Sequence, residues 1–105
     1  MKLSDMSTHT EATTARRRTD STYADEVERL ALAGAVSVAV VKYRAEKNLS
    51  QTKFAAAMGW KQPQVARLER GDVQPSLATL ERLARAGVIR VYLDHRGTVV
   101  ERMTA

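Results

Sequence analysis

The tightest constraint on this chain is the spacing of glycine and capping residues between Leu49 and Gly71, LSQTKFAAAMGWKQPQVARLERG. Ser50 precedes a run of good helix formers, so its hydroxyl can cap the free N–H groups of a helix starting at Gln51. Phe54, Ala55 and Met58 recur at helical spacing and are expected to face inward. Gly59 stands where this helix must stop and the chain turn, with a left-handed backbone angle that costs most other residues about 1–2 kcal/mol. Gln62 and Pro63 begin a second helix, since proline is tolerated in a first turn where its missing N–H would have no partner. Val65 and Leu68 give that helix its buried stripe, and Gly71 ends it. Gln62, Gln64, Arg67 and Arg70 are left on or near its outer face.

A short helix, a glycine turn and a second helix with polar residues at its start have the layout of a helix-turn-helix, whose second helix lies in the DNA major groove. The outer face fits that use. Glutamine pairs bidentately with the N6 and N7 edge of adenine, and arginine with O6 and N7 of guanine. An isolated Q-x-Q-x-x-R pattern is most simply an ordinary polar surface. The capped first helix, the placed glycines and the basic charge outweigh that simpler reading.

The stretch Leu49–Gly71, followed by DVQPSLATLERLARA, resembles the Cro and C1 repressor-type helix-turn-helix family, also called the Xre family, over roughly Val40 to Ala86. The residues that carry the resemblance are Leu49-Ser50-Gln51, Ala55, Gly59, Gln62, Leu68-Glu69-Arg70-Gly71 and Pro75-Ser76-Leu77. It implies a lambda-repressor-like bundle in which Gln51 holds a phosphate and orients Gln62, which reads a base. The chain departs from the family pattern at Trp60, where a smaller aliphatic residue is usual, and at Lys61, where Ser or Thr commonly caps. It departs again at Pro63, where a small polar residue often reaches the bases; contact there is expected to be apolar, with a thymine methyl.

Length and charge agree. A chain of 105 residues holds one small domain with a thin core that gains from an oligomeric partner. Its formal charge of +5 is uneven: residues 1–33 carry −1, residues 34–87 carry +5 and residues 88–105 carry +1. The excess therefore lies around the motif, where it favours phosphate contacts and makes affinity fall with salt. The absence of cysteine excludes a disulfide framework and a thiolate metal site. No apolar run approaches the roughly 20 residues of a membrane span, and the amino terminus is polar, so a cytoplasmic protein is expected.

Three regions are expected. Residues 1–22 read as a flexible arm rich in Ser and Thr, with Arg16, Arg17 and Arg18 either solvated or following DNA into a groove. Residues 23–87 read as the helical domain. In its first part Val27, Leu30 and Ala31 form one stripe and Val36, Val40 and Tyr43 another, with Gly34 a break between them. Val36, Val38 and Val40 also alternate like a strand, but the flank KYRAEKN favours helix. Ser76 caps a last helix whose Leu77, Leu80, Leu83 and Ala84 face the core, and Gly87 stops it. Residues 88–105 read as a β-hairpin, Val88–Leu93 and Thr98–Arg102 around Asp94-His95-Arg96-Gly97. A lone hairpin is marginal in water. It either pairs with its counterpart in a second subunit, meets a different protein, or folds back on its own helices.

The expected fold is thus mainly α: a helix-turn-helix bundle of about five helices with a carboxy-terminal β-hairpin and a disordered amino-terminal arm. The leading helix and terminal strand resemble the HigA-type and HipB-type antitoxins of toxin–antitoxin pairs. That resemblance implies a dimer that binds a palindromic operator in its own promoter and holds a toxin inactive. The alternatives are a protein-interaction module that chiefly neutralises a toxin, with DNA binding secondary, and a plain dimeric phage or plasmid repressor with no toxin partner. Catalysis is not expected, nor a cofactor or a metal: His9 and His95 are far apart in sequence, no nucleophile stands beside a base, and there is no glycine-rich phosphate loop. On double-stranded DNA, Gln62, Gln64 and Arg67 are expected to contact bases, and Gln51, Lys61 and Arg70 phosphates.

Overall fold

The computed structural model describes residues 11–103, with side-chain surroundings from Thr22 onward. In chain order it consists of α1 (Glu11–Lys47), α2 (Gln51–Met58), α3 (Gln62–Arg70), α4 (Leu77–Arg85), β1 (Ile89–Asp94) and β2 (Gly97–Arg102). The described residues hold four helices where about five are expected, because Gly34 does not break α1. A glycine inside a helix costs only about 1 kcal/mol relative to alanine. Its neighbours Ala33, Val36, Ala39 and Val40 are all buried on one side of α1 and hold the helix continuous. Of the arm expected over residues 1–22, residues 1–10 lie outside the described residues, and α1 begins at Glu11 rather than near Tyr23. That added stretch, EATTARRRTDST, contains neither glycine nor proline to stop a helix.

The core is a layer of side chains between α1 and the remaining elements. Val36, Ala39 and Val40 from α1, Phe54, Ala55 and Met58 from α2, Val65 from α3, Leu80 and Leu83 from α4, and Val88 and Ile89 from the hairpin form one cluster. Val36 and Val40 are fully buried while Val38 between them is exposed, which is the helical and not the strand periodicity. Two expected core contributions are absent. Val27, Leu30 and Ala31 are exposed, since they lie on the side of α1 turned away from the bundle, and Leu77 is exposed in the first turn of α4.

Several helix ends are closed by groups from other elements. The Ser50 hydroxyl accepts from Lys53 N–H at 3.0 Å, and the Ser76 hydroxyl accepts from Thr79 N–H at 3.1 Å, as expected for caps. At the far end of α2, Gly59 takes a left-handed φ of 78°. Its N–H donates to Ala56 and that of Trp60 to Ala55, closing the helix as in a Schellman turn. Trp60 is the hydrophobic partner that this turn favours: its ring meets Phe54 edge-on at 6.4 Å, and Phe54 meets Tyr43 in the same way at 5.8 Å. Arg82 from α4 donates to the Met58 and Ala57 carbonyls, supplying donors to the end of α2.

The β1 and β2 strands pair antiparallel, with Asp94 opposite Gly97 around a two-residue turn in which the Asp94 carboxylate accepts from Arg96 N–H. The hairpin lies against its own helices. Ile89 is buried, Val91 and Val100 pack on the core, and Arg102 pairs with Glu46 of α1 at 2.6 Å. Its other face carries Tyr92 and Val99, opposite one another and exposed.

Gly71, just past the end of α3, lies close against α1. Its φ is +71°, and a Cβ placed there would lie 3.2 Å from the Ser37 Cβ. The Ser37 hydroxyl donates to the Glu69 carbonyl at 2.6 Å, so the side chain that would have to yield is itself held. Gly71→Ala is expected to destabilise the domain by about 1–2 kcal/mol from backbone strain alone. Urea denaturation followed by far-UV circular dichroism measures it, and an unchanged midpoint would contradict this account of the contact.

Candidate nucleic-acid interface

The second helix of the motif, α3, is held on its inner side and open on its outer side. At 100° per residue Val65 and Glu69 point toward α1 and α2, and Pro63, Arg67 and Arg70 point away. Val65 is fully buried, while those three are exposed. Gln62 is exposed at the amino end, on the edge next to α2. Gln64 is half-buried on the opposite flank, in a hollow it shares with Arg67, Leu68, Val73, Gln74, Pro75 and Thr79. Lys61 takes the cap position with extended backbone but makes no side-chain cap, leaving its ammonium exposed. Arg70 lies 3.7 Å from Asp72 in a solvent-exposed pair, the kind of contact that contributes little.

A chain of hydrogen bonds fixes the inner edge. Arg44 of α1 grips the Glu69 carboxylate with two nitrogens, Nε to Oε2 at 2.5 Å and Nη2 to Oε1 at 2.9 Å, and its Nη1 donates to the Leu49 carbonyl. Glu69 Oε1 also accepts from Gln51 Nε2 at 2.8 Å, and Gln51 Oε1 accepts from Gln62 Nε2 at 2.7 Å. The order of donors is dictated by chemistry. An ionised carboxylate only accepts, so Gln51 must turn its NH₂ to Glu69 and its carbonyl to Gln62. Gln62 must then turn its own NH₂ to Gln51. Its Oε1 and second N–H remain, one acceptor and one donor, which is the pair that the adenine N6 and N7 edge requires.

Four of the six candidate contact residues, Lys61, Gln62, Arg67 and Arg70, are exposed, and Gln51 and Gln64 are half-buried. The motif's spacing alone does not reveal Arg44, which stands 25 positions before its partner Glu69. Glu69 reads from sequence as a solvated or salt-bridged helix residue, and it is the latter. Burial pushes its carboxyl up, but the hydrogen bonds from Arg44 and Gln51 and the Arg44 charge outweigh this and hold it below the ordinary glutamate value. The bond to Glu69 in turn holds Arg44 above the ordinary arginine value, against the opposing effect of burial.

Because the folded-state pKa of Glu69 is lowered, its contribution to stability is complete above the unfolded value of about 4.3 and is lost as pH falls through the folded value. The side chains of Arg44 and Glu69 are 20% and 10% exposed. Glu69→Gln is therefore expected to cost about 1–3 kcal/mol at pH 7, less than a broken pair fully shut off from water. It should also flatten the loss of stability between pH 5 and the acid limit, roughly the window over which a lowered carboxylate titrates. Urea midpoints measured across that range for the two proteins check both points.

Residues 40–86 match the family model of helix-turn-helix domains, from Val40 in α1 to Ala86 at the end of α4. No curated protein and no solved structure matches the chain. Among the described residues no helix is long and apolar enough to cross a membrane. Over this segment, less than half of the chain, the sequence is similar to the helix-turn-helix family.

Proposed function

We propose that the protein is a sequence-specific transcription regulator of the cytoplasm, a repressor that binds a palindromic double-stranded operator as a homodimer. The observation that carries this reading is the chain from Arg44 through Glu69 and Gln51 to Gln62. It holds a glutamine amide at the exposed amino end of α3 with one donor and one acceptor left for a base edge. Arg67 and Pro63 stand beside it on the open face. Gln62, Gln64 and Arg67 read bases, with Gln64 approaching from the flank. Gln51, Lys61 and Arg70 hold phosphates and set the register. A dimer presents two such helices to successive major-groove faces about 34 Å apart. The operator follows as two half-sites related by the same two-fold axis.

A second reading, the autoregulating antitoxin of a toxin–antitoxin pair, is favoured by one observation. The hairpin leaves Tyr92 and Val99 exposed on the face turned away from the core, a face available to a partner protein. In that reading the same DNA-binding domain acts on its own promoter while the hairpin holds the toxin. An adjacent gene whose product co-purifies through the hairpin, and is released by Tyr92→Lys with Val99→Lys, is the expected result.

Selection of bound DNA from a random pool supplies the operator. On it, Gln62→Ala and Arg67→Ala are each expected to cost about 1–3 kcal/mol and to relax preference at one base pair. Lys61→Ala should weaken all sequences alike and reduce the salt slope by about one unit. Fluorescence anisotropy at several salt concentrations distinguishes the two patterns. Equal binding by wild type and a Gln62→Ala, Arg67→Ala double variant would sink the base-reading assignment.

A further inference from the structure

Helix α1 has two apolar faces, and the domain uses one. Ala33, Val36, Ala39 and Val40 are buried against the bundle. On the other side stand Tyr23, Val27, Leu30, Val38 and Val41, exposed by 72, 48, 47, 51 and 42%. Gly34 and Ala45 lie in line with them. At 100° per residue these positions fall within one stripe about 80° wide and about 33 Å long. No charged residue interrupts it. Exposed apolar residues scattered singly are ordinary, whereas a continuous stripe marks a contact surface.

The distribution of charge along α1 selects the occupant. Residues 22–31 carry Asp25, Glu26 and Glu28 against Arg29, which pairs with Glu26, and residues 38–47 carry Lys42 and Lys47 besides Arg44 and Glu46, which are paired within the chain with Glu69 and Arg102. Two α1 helices side by side, antiparallel and overlapping over residues 23–45 bring the acidic stretch of each to the basic stretch of the other. Parallel helices would bring like to like. The stripe is also complementary to itself about Gly34. With Gly34 on the two-fold axis, Tyr23 faces Ala45, Val27 faces Val41, and Leu30 faces Val38. The outer side of Gly34 is open to close approach, since a Cβ there would meet nothing within 4 Å in its own chain, while its Cα on the other side faces Gly71.

We infer that a second copy of this chain covers the stripe, the two α1 helices packing antiparallel and crossing near Gly34. One patch used twice satisfies the two-fold symmetry that a palindromic site requires. The inference deepens the proposed homodimer and rests on that reading for its stoichiometry. It moves the dimer contact from the hairpin to α1. The surface is separate from the Gln62 and Arg67 face of α3.

Sedimentation equilibrium of the full chain without DNA tests it. The wild type is expected to be a dimer. Leu30→Glu with Val38→Glu, both on exposed positions outside the core, should raise the dimer dissociation constant at least tenfold while the far-UV spectrum stays helical. A monomeric wild type would overturn the homodimer and the stripe together. A dimeric wild type whose variant is equally dimeric would overturn the stripe alone. The chain has no cysteine, so introduced thiols report without background. Val27→Cys with Val41→Cys should form interchain disulfides under mild oxidation, and neither single variant should. Efficient crosslinking by the single variants would show parallel helices and overturn the antiparallel arrangement.

Discussion

The Glu69 carboxylate is the group on which the geometry of the domain turns. It lies near the end of α3, and it accepts from Arg44 of α1 and Gln51 of α2, so that one charged side chain ties the three helices together. Taking a carboxylate and a guanidinium partly out of water is unfavourable unless each is fully paired. Here the guanidinium also donates to the Leu49 carbonyl, at the start of the segment leading into α2. The fixed charge orders the amides beyond it. A neutral partner in place of the carboxylate could accept or donate, and the orientation of Gln51, and with it that of Gln62, would no longer be imposed.

A small domain with a thin core has few buried side chains to spare, and much of its order comes from polar groups used at element ends. Ser37 serves the end of α3, Arg82 the end of α2, and Arg102 binds the hairpin to α1 through Glu46. These contacts join elements distant in sequence. They fix how these elements meet more narrowly than hydrophobic packing, which is not directional, would do alone. Trp60 has a comparable part. Its ring closes on Phe54 where the chain leaves α2, so packing accounts for the unusual residue in the turn.

Much of the motif was legible in the chain because its determinants are local. The Ser50 and Ser76 caps, the left-handed Gly59 and Gly71, the burial of Phe54, Met58 and Val65, and the turn of the hairpin each depend on residues within a few positions of one another. The exposed Gln62 and Arg67 followed from the same helical period. Where the reading went astray, the deciding factor was distant. Gly34 carries a local bias against helix, and the packing of its neighbours overrode it. Val27 and Leu30 have the period of a core stripe, but period says only that a face is apolar, not which element lies opposite.

The sequence by itself determined the helix-turn-helix, its boundaries and the chemistry of its outer face, since caps, glycine angles and helical period act over less than two turns. Only the tertiary structure decided that Arg44 meets Glu69, that Gln62 is oriented through Gln51, that the hairpin lies on its own helices, and that α1 keeps a second apolar face uncovered. Each of these depends on which surfaces come together between separate elements, 11 positions apart for Gln51 and Gln62 and 25 for Arg44 and Glu69, or, for the last, on which surface is left over. Such pairings are fixed by the sum of packing over the whole core, and no local pattern carries that sum.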